Sequence, residues 1–487
     1  MSDFVVDGGQ VGSLGSGVAT HNSDGHRGSK QLSASHGGVI VTHGRSDRIE
    51  KLIVKAHLER YFQFRELRTN WRTEILAGCT TFVTMAYIIF VNPAILHETG
   101  MPLTAVVAAT CLCAAFGSLT MGIAARYPIA LAPGMGLNAY FTYTVVKGMG
   151  IPWETALGAV FLSGVAFIVL TAAGVRQMIV ASIPSELYSA VAVGIGLFIA
   201  LIGLHNSGII VANKETLVSM GNLRDPNTLL AIFGLLLIAS LRAWNLSGAI
   251  LIGILVTTAV GAIAGLVRWQ PQTYSFADIT ATAFHLNIRG ALSYGLVEIV
   301  FVFLFVDLFD NIGTLVAVGK EAKLFDTANQ IPRMNRILYS DAAATVVGSL
   351  AGTSTVTSYI ESAAGVASGG RSGVTAIVTG GLFLISLFIA PVVGAIPAAA
   401  TAPALIVVGS MMIAHAAEIP WSNPVISIPA FLMIVTIPLT FSIANGLAFG
   451  FVAYTVLKIA HGEFRSVHWL VYVLTVLFIA RFLYLGT

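Results

Sequence analysis

Apolar residues in this chain come in runs of roughly 17 to 25, broken by short polar punctuation, the length needed for helices to cross a hydrocarbon core about 30 Å thick. After a polar beginning and an amphipathic lead-in, HLERYFQFRELRTNWRTE, the runs predict spans near 75–97, 102–124, 128–146, 153–174, 186–205, 227–241 and 246–267. A polar interval, RWQPQTYSFADITATAFHLNIRG, separates these from spans near 294–318, 337–352, 353–368, 372–392 and 401–416. The last stretch, 424–485, is ambiguous: PLTFSIANG interrupts it, so 424–461 reads as one broken passage or as two, with 467–485 as another. The alternation of barrel strands is absent. An all-α polytopic membrane protein is the expected class.

Composition strengthens that reading. Of the 487 residues, 56% are hydrophobic and 10% charged, with a mean hydropathy of +0.84, whereas a soluble domain carries about a quarter charged residues. The three cysteines, Cys79, Cys111 and Cys113, fall in or beside apolar runs without metal-ligand spacing and read as packing residues. Residues 1–72 read as a flexible tail rich in Gly, Ser and His, with no signal-peptide core. Its histidines at 21, 26, 36 and 43 are irregularly spaced and read as tail composition rather than as a metal site.

The net charge of +3 matters less than its placement. Arg126, Arg176, Arg242, the cluster Lys320, Lys323, Arg333 and Arg336, and Arg371 follow the even-numbered spans, on the side of the basic lead-in. That side is expected to be cytoplasmic, with the 206–226 and 268–293 loops outside. A repeat shows in the punctuation. Span one starts near 75 and span eight near 294, an offset of 219; the polar centres of spans three and ten, Asn138 and Glu361, are 223 apart. Seven spans per half is odd, so the second half is inverted, the arrangement in which paired interrupted helices build a site at the midplane.

The stretch LVEIVFVFLFVDLFDNIGTLVAV holds two carboxylates in an apolar run. An acid at the bilayer centre costs roughly 2.5 to 3.5 kcal/mol on insertion scales, so it should face protein or a watery cavity. Asp307 and Asp310 share a helix face that Asn311 and Thr314 extend into a polar stripe, serving either helix packing or binding and coupling. Glu361 lies in TSTVTSYIESAAG, where a helix can break and turn backbone N–H groups into a cavity; it either meets the aspartates there or sits at the membrane surface, ten residues before Arg371. Asn138, after Gly134 and Gly136, can bind a ligand edge with its amide or tie helices together. Glu298 is expected near the outer surface, and Asp341, just after Arg336, in a cytoplasmic-end ion pair. The middles of spans one to twelve hold no Lys or Arg, which leaves an anion without a partner. These residues describe a carrier for a neutral or cationic polar solute, with acids able to share a proton during transport.

The strings APGMGLNAYF, VDLFDNIGTLVAVGKEA and GTSTVTSYIESAAGVASGGRSG resemble the AzgA-like adenine, guanine and hypoxanthine permeases of the nucleobase:cation symporter-2 (nucleobase-ascorbate transporter) superfamily, from about residue 66 to 480. The resemblance implies about fourteen spans in two inverted seven-span repeats with interrupted third and tenth helices. Core-domain segments would be 75–174 (spans one to four) and 294–392 (eight to eleven); gate-domain segments would be 175–293 (five to seven) and 393–487 (twelve to fourteen). It also implies cytoplasmic termini, a plasma-membrane location and a homodimer. Substrate contacts would come from Asn138, Asp307, Asp310, Tyr359, Ile360 and Glu361, with Asp307, Asp310 and Glu361 as proton-coupling candidates. Thr314 stands where some relatives have histidine, which puts a proton role there in doubt. Phe141, Tyr140, Phe305 and Phe309 are candidate walls for a planar base.

The function expected on that resemblance is purine import by proton symport, with xanthine, uracil or a cytokinin-like solute as the nearest alternatives. A membrane-embedded enzyme built on the acids is disfavoured, because neither the acid-plus-cation set of a lipid enzyme nor a GxGD proteolytic turn is present. An anion carrier is disfavoured by the missing buried cation. No metal, cofactor or nucleic acid is expected; the partners are the purine, H+ and the lipid bilayer.

Overall fold

The structure is a computed structural model that describes residues 53–174, 184–267, 275–293, 297–321, 332–389 and 393–484. The four tail histidines, Arg176 and Lys323 lie outside these residues, as do the side chains of Glu298 and Phe309. Seven of the described helices are long and apolar enough to cross a membrane: Trp71–His97, Leu103–Ala125, Trp153–Ala172, Glu186–Asn206, Pro226–Ala243, Ala398–Glu418 and Ile443–Ala460. Shorter apolar helices, among them Ala249–Ile263, Gly373–Ser386 and Pro424–Thr440, fill the positions between them.

Local sequence sets where these helices begin. Asn70 accepts from the Thr73 N–H at the start of the first, and Asp225 and Asn423 cap helices whose first residue is the proline that follows, a position where the missing N–H costs nothing. The ambiguous 424–461 stretch resolves into two helices, Pro424–Thr440 and Ile443–Ala460. Phe441 takes a left-handed φ of 50° between them, and the Ser442 side chain caps the second. The helix Trp469–Tyr484 then packs back along Ile443–Ala460, with Phe451 stacked on Phe478 and Thr455 bonded to Thr475. The two long connecting loops carry structure of their own. The 206–226 connection contains a hairpin, Ile210–Asn213 with Leu217–Met220, and the 268–293 interval contains short helices Phe276–Thr280 and Ile288–Ser293.

Packing repeats between the two halves. Trp153–Ala172 lies on Met334–Ala351 as Gly373–Ser386 lies on Leu103–Thr120, and Ser185–Asn206 lies along Pro424–Thr440 as Ala398–Met412 lies along Pro226–Ala243. Ser185–Asn206 and Ala398–Met412 meet each other at glycines: a Cβ on Gly409 would sit 2.3 Å from the Gly196 carbonyl oxygen. Without side chains there, the two backbones reach contact distance, the usual means of tight helix association in lipid.

The stretches RYPIALAPG and GTSTVTS depart from helix altogether. Proline disfavours the helical region for the residue before it and carries no N–H, so Pro128 and Pro133 keep the first stretch extended. Leu131–Pro133 forms a strand that pairs antiparallel with Val356–Ser358, in the register Leu131 to Ser358, Ala132 to Thr357 and Pro133 to Val356. Open backbone inside a membrane protein has to be satisfied by protein, and hydroxyls of neighbouring helices take up groups that the strand pairing leaves over. Ser118 Oγ accepts from the Leu131 N–H (3.0 Å) and donates to its carbonyl (3.1 Å). Thr345 Oγ1 does the same for Val356, at 3.2 and 3.0 Å. Each strand is thus held by one hydroxyl from the preceding helix.

Candidate functional site

Past each strand the chain turns into a helix, Met135–Ala139 continuing to Gly148 after the first and Ser362–Ala367 after the second. Cross-bonds join the two turns. The Gly134 N–H donates to the Thr355 carbonyl (2.9 Å), the Tyr359 N–H donates to the Ala130 carbonyl (3.0 Å), and the Tyr359 hydroxyl donates to the Pro133 carbonyl. The Tyr359 carbonyl in turn accepts from Ser362, so this residue's polar groups are taken up in holding the crossing together. Ile360 is half-buried beside it.

Asp310 reaches this crossing from the helix Val297–Glu321. A Cβ on Gly134 would lie 3.7 Å from Asp310 Oδ2 and 2.9 Å from Thr357 Cγ2, so glycine at 134 leaves the room in which the carboxylate sits. Asp310 is half-buried and makes no hydrogen bond or ion pair with the described residues. It is an open acceptor beside the buried hydroxyls of Thr355 and Thr357, which likewise bond to none of the described residues. Glu361 immediately precedes Ser362–Ala367 and is also half-buried. Its Oε1 accepts from the Tyr87 hydroxyl at 2.6 Å, and its carbonyl oxygen accepts from Thr84 Oγ1 at 3.4 Å. Asp310 and Glu361 lie within electrostatic reach of each other and of Tyr359. No Lys or Arg among the described residues hydrogen-bonds either carboxylate; Arg242, at the end of Pro226–Ala243, acts on Glu361 only through space.

The other predicted residues stand further in. Asp307 is fully buried one turn before Asp310, and Asn311 and Thr314 are buried along the same helix. Asn138 is fully buried in a polar network: its Nδ2 donates to Asn92 Oδ1 at 2.5 Å, and its Oδ1 accepts from Ser354 Oγ. Asn92 passes the network on to Thr110 (2.7 Å) and Thr353 (3.1 Å). Of the two roles open to the Asn138 amide, the geometry displays the helix-tying one. Of the aromatic candidates, Tyr140 and Phe141 pack on Phe303, and Phe305 packs on Phe301.

Three important residues carried little signal in the sequence. Asp341 is fully buried and in electrostatic reach of Asp310. Arg336, the basic neighbour on which a cytoplasmic-end ion pair was expected, directs its guanidinium to the Ala124 carbonyl. Tyr87 is one tyrosine in an apolar run, and nothing local marks it. Asn92, in VNPAIL, is a polar residue mid-span and was open to the argument that singled out Asn138.

Comparison with known proteins fits the geometry. The chain is 54% identical to a putative permease of Methanocaldococcus jannaschii over 89% of its own length and 100% of that protein. It is 45% identical to the adenine permease AdeP of Escherichia coli (88% of this chain, 96% of the relative) and 44% identical to the guanine/hypoxanthine permease PbuG of Bacillus subtilis (88% and 100%). Among solved structures, the transmembrane domain of the cyanobacterium bicarbonate transporter BicA superposes with a TM-score of 0.57 at 16% identity (76% of this chain, 96% of that one). SLC26A9 superposes with a TM-score of 0.56 at 10% identity (88% and 73%). These two share the fold alone. The Permease family model matches residues 72–449, which include Asp307, Asp310, Asp341, Glu361 and both strands of the crossing, and the chain belongs to that family.

Proposed function

We propose that this permease imports purine nucleobases, adenine, guanine or hypoxanthine, across the plasma membrane by symport with protons. The observation that carries the reading is the pairing of Asp310, unpartnered among the described residues, with a Glu361 held by Tyr87 at the crossing of two strand–helix turns. Relatives at 44–45% identity named for adenine and for guanine and hypoxanthine supply the substrate class.

The chemistry is one of edges. Guanine and hypoxanthine present N1–H beside an acceptor O6, and adenine presents an exocyclic amine beside an acceptor N1. An ionised carboxylate accepts from such an N–H, and a protonated one donates to the acceptor next to it. In a water-poor cavity two neighbouring carboxylates do not both ionise readily, so the pair carries one proton that crosses with the base. Asp310 takes the N–H of that edge, N1–H in guanine and hypoxanthine and the exocyclic amine in adenine, Glu361 is oriented by Tyr87 to face the adjacent acceptor, and the Ile360 backbone lies at the same edge. Asp307 and Asp341, buried behind Asp310, are the candidates for passing the proton on, and Asn138 fixes the first turn from below.

In this reading the passages from Trp71 to Tyr484 are about fourteen spans, two inverted repeats of seven, with the third and tenth interrupted by the paired strands. Core segments 75–174 and 294–392 carry the site and gate segments 175–293 and 393–487 flank it, with both ends of the bundle cytoplasmic and gate segments as the homodimer contact. Uptake of radiolabelled adenine, guanine and hypoxanthine in transporter-deficient cells tests the proposal. Accumulation that a protonophore collapses, and that Asp310→Asn and Glu361→Gln each abolish, is the expected result. Uptake that persists in both variants, or accumulation indifferent to the protonophore, overturns the site or the coupling respectively. A competition panel with xanthine and uracil fixes the substrate range.

A further inference from the structure

The residues just before the first span form a fixed shelf rather than a loose lead-in. Phe62 and Phe64 are buried against Val374, with Trp71, Ile377 and Val378 closing around them, and the rings of Phe64 and Trp71 stand 5.0 Å apart. The Tyr61 hydroxyl donates to the Ile123 carbonyl (2.8 Å). Arg126 donates to the Tyr61 carbonyl (2.9 Å) and lays its guanidinium 4.8 Å from the centre of the Tyr61 ring. Two non-glycine residues hold left-handed backbone here, Gln63 (φ 58°) and Arg68 (φ 51°), which tertiary contacts must maintain. The shelf is thereby tied to the ends of three membrane helices at one face.

Four arginines stand out from it: Arg60, Arg65, Arg68 and Arg72, all exposed and none with a side-chain hydrogen bond or ion pair to the described residues. Nearby acids are otherwise engaged, Glu59 with Trp71 Nε1 (2.9 Å) and Glu66 with Gln63 Nε2 (2.7 Å). The depth of the array follows from the helix it joins. Ile75 and Leu76 are exposed on a membrane-crossing helix, 47% and 60%, and so face lipid. Arg72 is three residues earlier, about 4.5 Å along the axis, which puts its guanidinium at headgroup height.

We propose that these four arginines bind the phosphates of anionic phospholipids in the leaflet bordering this face. A guanidinium offers paired N–H groups that match two phosphate oxygens. Four like charges clustered without counter-ions repel, and an anionic leaflet supplies the missing charge. Because the shelf is anchored by Phe62, Phe64 and Trp71, the array is arranged in advance, and lipid binding clamps it further onto the helix ends.

The test uses the full chain in nanodiscs of phosphatidylcholine alone or of equal parts phosphatidylcholine and phosphatidylglycerol, read by thermal melting and by native mass spectrometry of retained lipid. Phosphatidylglycerol should raise the melting temperature and co-purify, and R60Q/R65Q/R68Q/R72Q should lose both effects while melting like the parent in phosphatidylcholine. Each arginine removed should weaken retention by about fivefold. If the fourfold variant does not fold, R65Q/R68Q should lose part of the shift. Equal retention of both lipids by the parent, or a variant with the parent's full phosphatidylglycerol response, overturns the proposal. A melting shift reproduced by inorganic phosphate in phosphatidylcholine would assign the array to free phosphate and overturn it as well.

Discussion

Replacing Tyr87 with Phe removes one oxygen and little else. The ring is 1% exposed, so the phenylalanine fills the same space, and the lost contact is the 2.6 Å bond to Glu361 Oε1. A hydrogen bond to a neutral acid, the form in which Glu361 donates to the base, contributes about 0.5–1.5 kcal/mol, which at about 1.4 kcal/mol per decade is up to about one order of magnitude in affinity. Tyr87 has no place at the substrate edge in the proposed mode, so its whole effect should pass through Glu361. The expected outcome is a KM for guanine or adenine raised by about two- to tenfold, with the amount of protein in the membrane and its melting temperature close to the parent's. A double-mutant cycle sharpens the case, because groups that act as a unit are not additive. Tyr87→Phe should add little to Glu361→Gln. Initial-rate uptake in cells, normalised to protein, measures all four corners. A parent-like KM in Tyr87→Phe, or full additivity with Glu361→Gln, would refute the positioning role.

Two further predictions concern stability. Glu74 is fully buried and accepts from the N–H groups of Arg371 and Ser372 and the hydroxyls of Thr69 (2.7 Å) and Thr375 (2.6 Å) at the start of Gly373–Ser386. Glu74→Ala strands those donors and should cost at least about 3 kcal/mol, seen as a lower melting temperature in a fluorescence thermal-shift assay; a parent-like value would show that the cap is dispensable. Gly409→Leu must push against the Gly196 carbonyl oxygen, 2.3 Å from its Cβ, and the Ala200 methyl, 2.8 Å away. Overpacking of this kind costs about 1–3 kcal/mol where side chains can yield, and backbone yields less, so little monodisperse protein should survive mild heating before size-exclusion chromatography.

Hydrophobic run length fixed the class of this protein, since an apolar segment of bilayer length has few alternatives to a membrane helix. The cost of an acid in such a run marked Asp307, Asp310 and Glu361, and prolines and glycines marked both departures from helix. These signals are local, and one chain suffices to show them. What the sequence left open depends on partners hundreds of residues away. The 424–461 stretch had no local arbiter between one helix and two; packing of Pro424–Thr440 on Ser185–Asn206, with the turn at Phe441, makes it two. Asp341 read as a surface acid because Arg336 is five residues before it, whereas folding buries it behind Asp310. Tyr87 acquires its part only when the helix Trp71–His97 meets the turn at Glu361, 274 residues on, and Asn138 is committed to its network only once Ser354 arrives, 216 residues on. Run length and buried charge are properties of a segment in its solvent, so the amino-acid order alone determined them. Which carboxylate stays open and which is held is a property of distances between segments, and only the tertiary structure sets those.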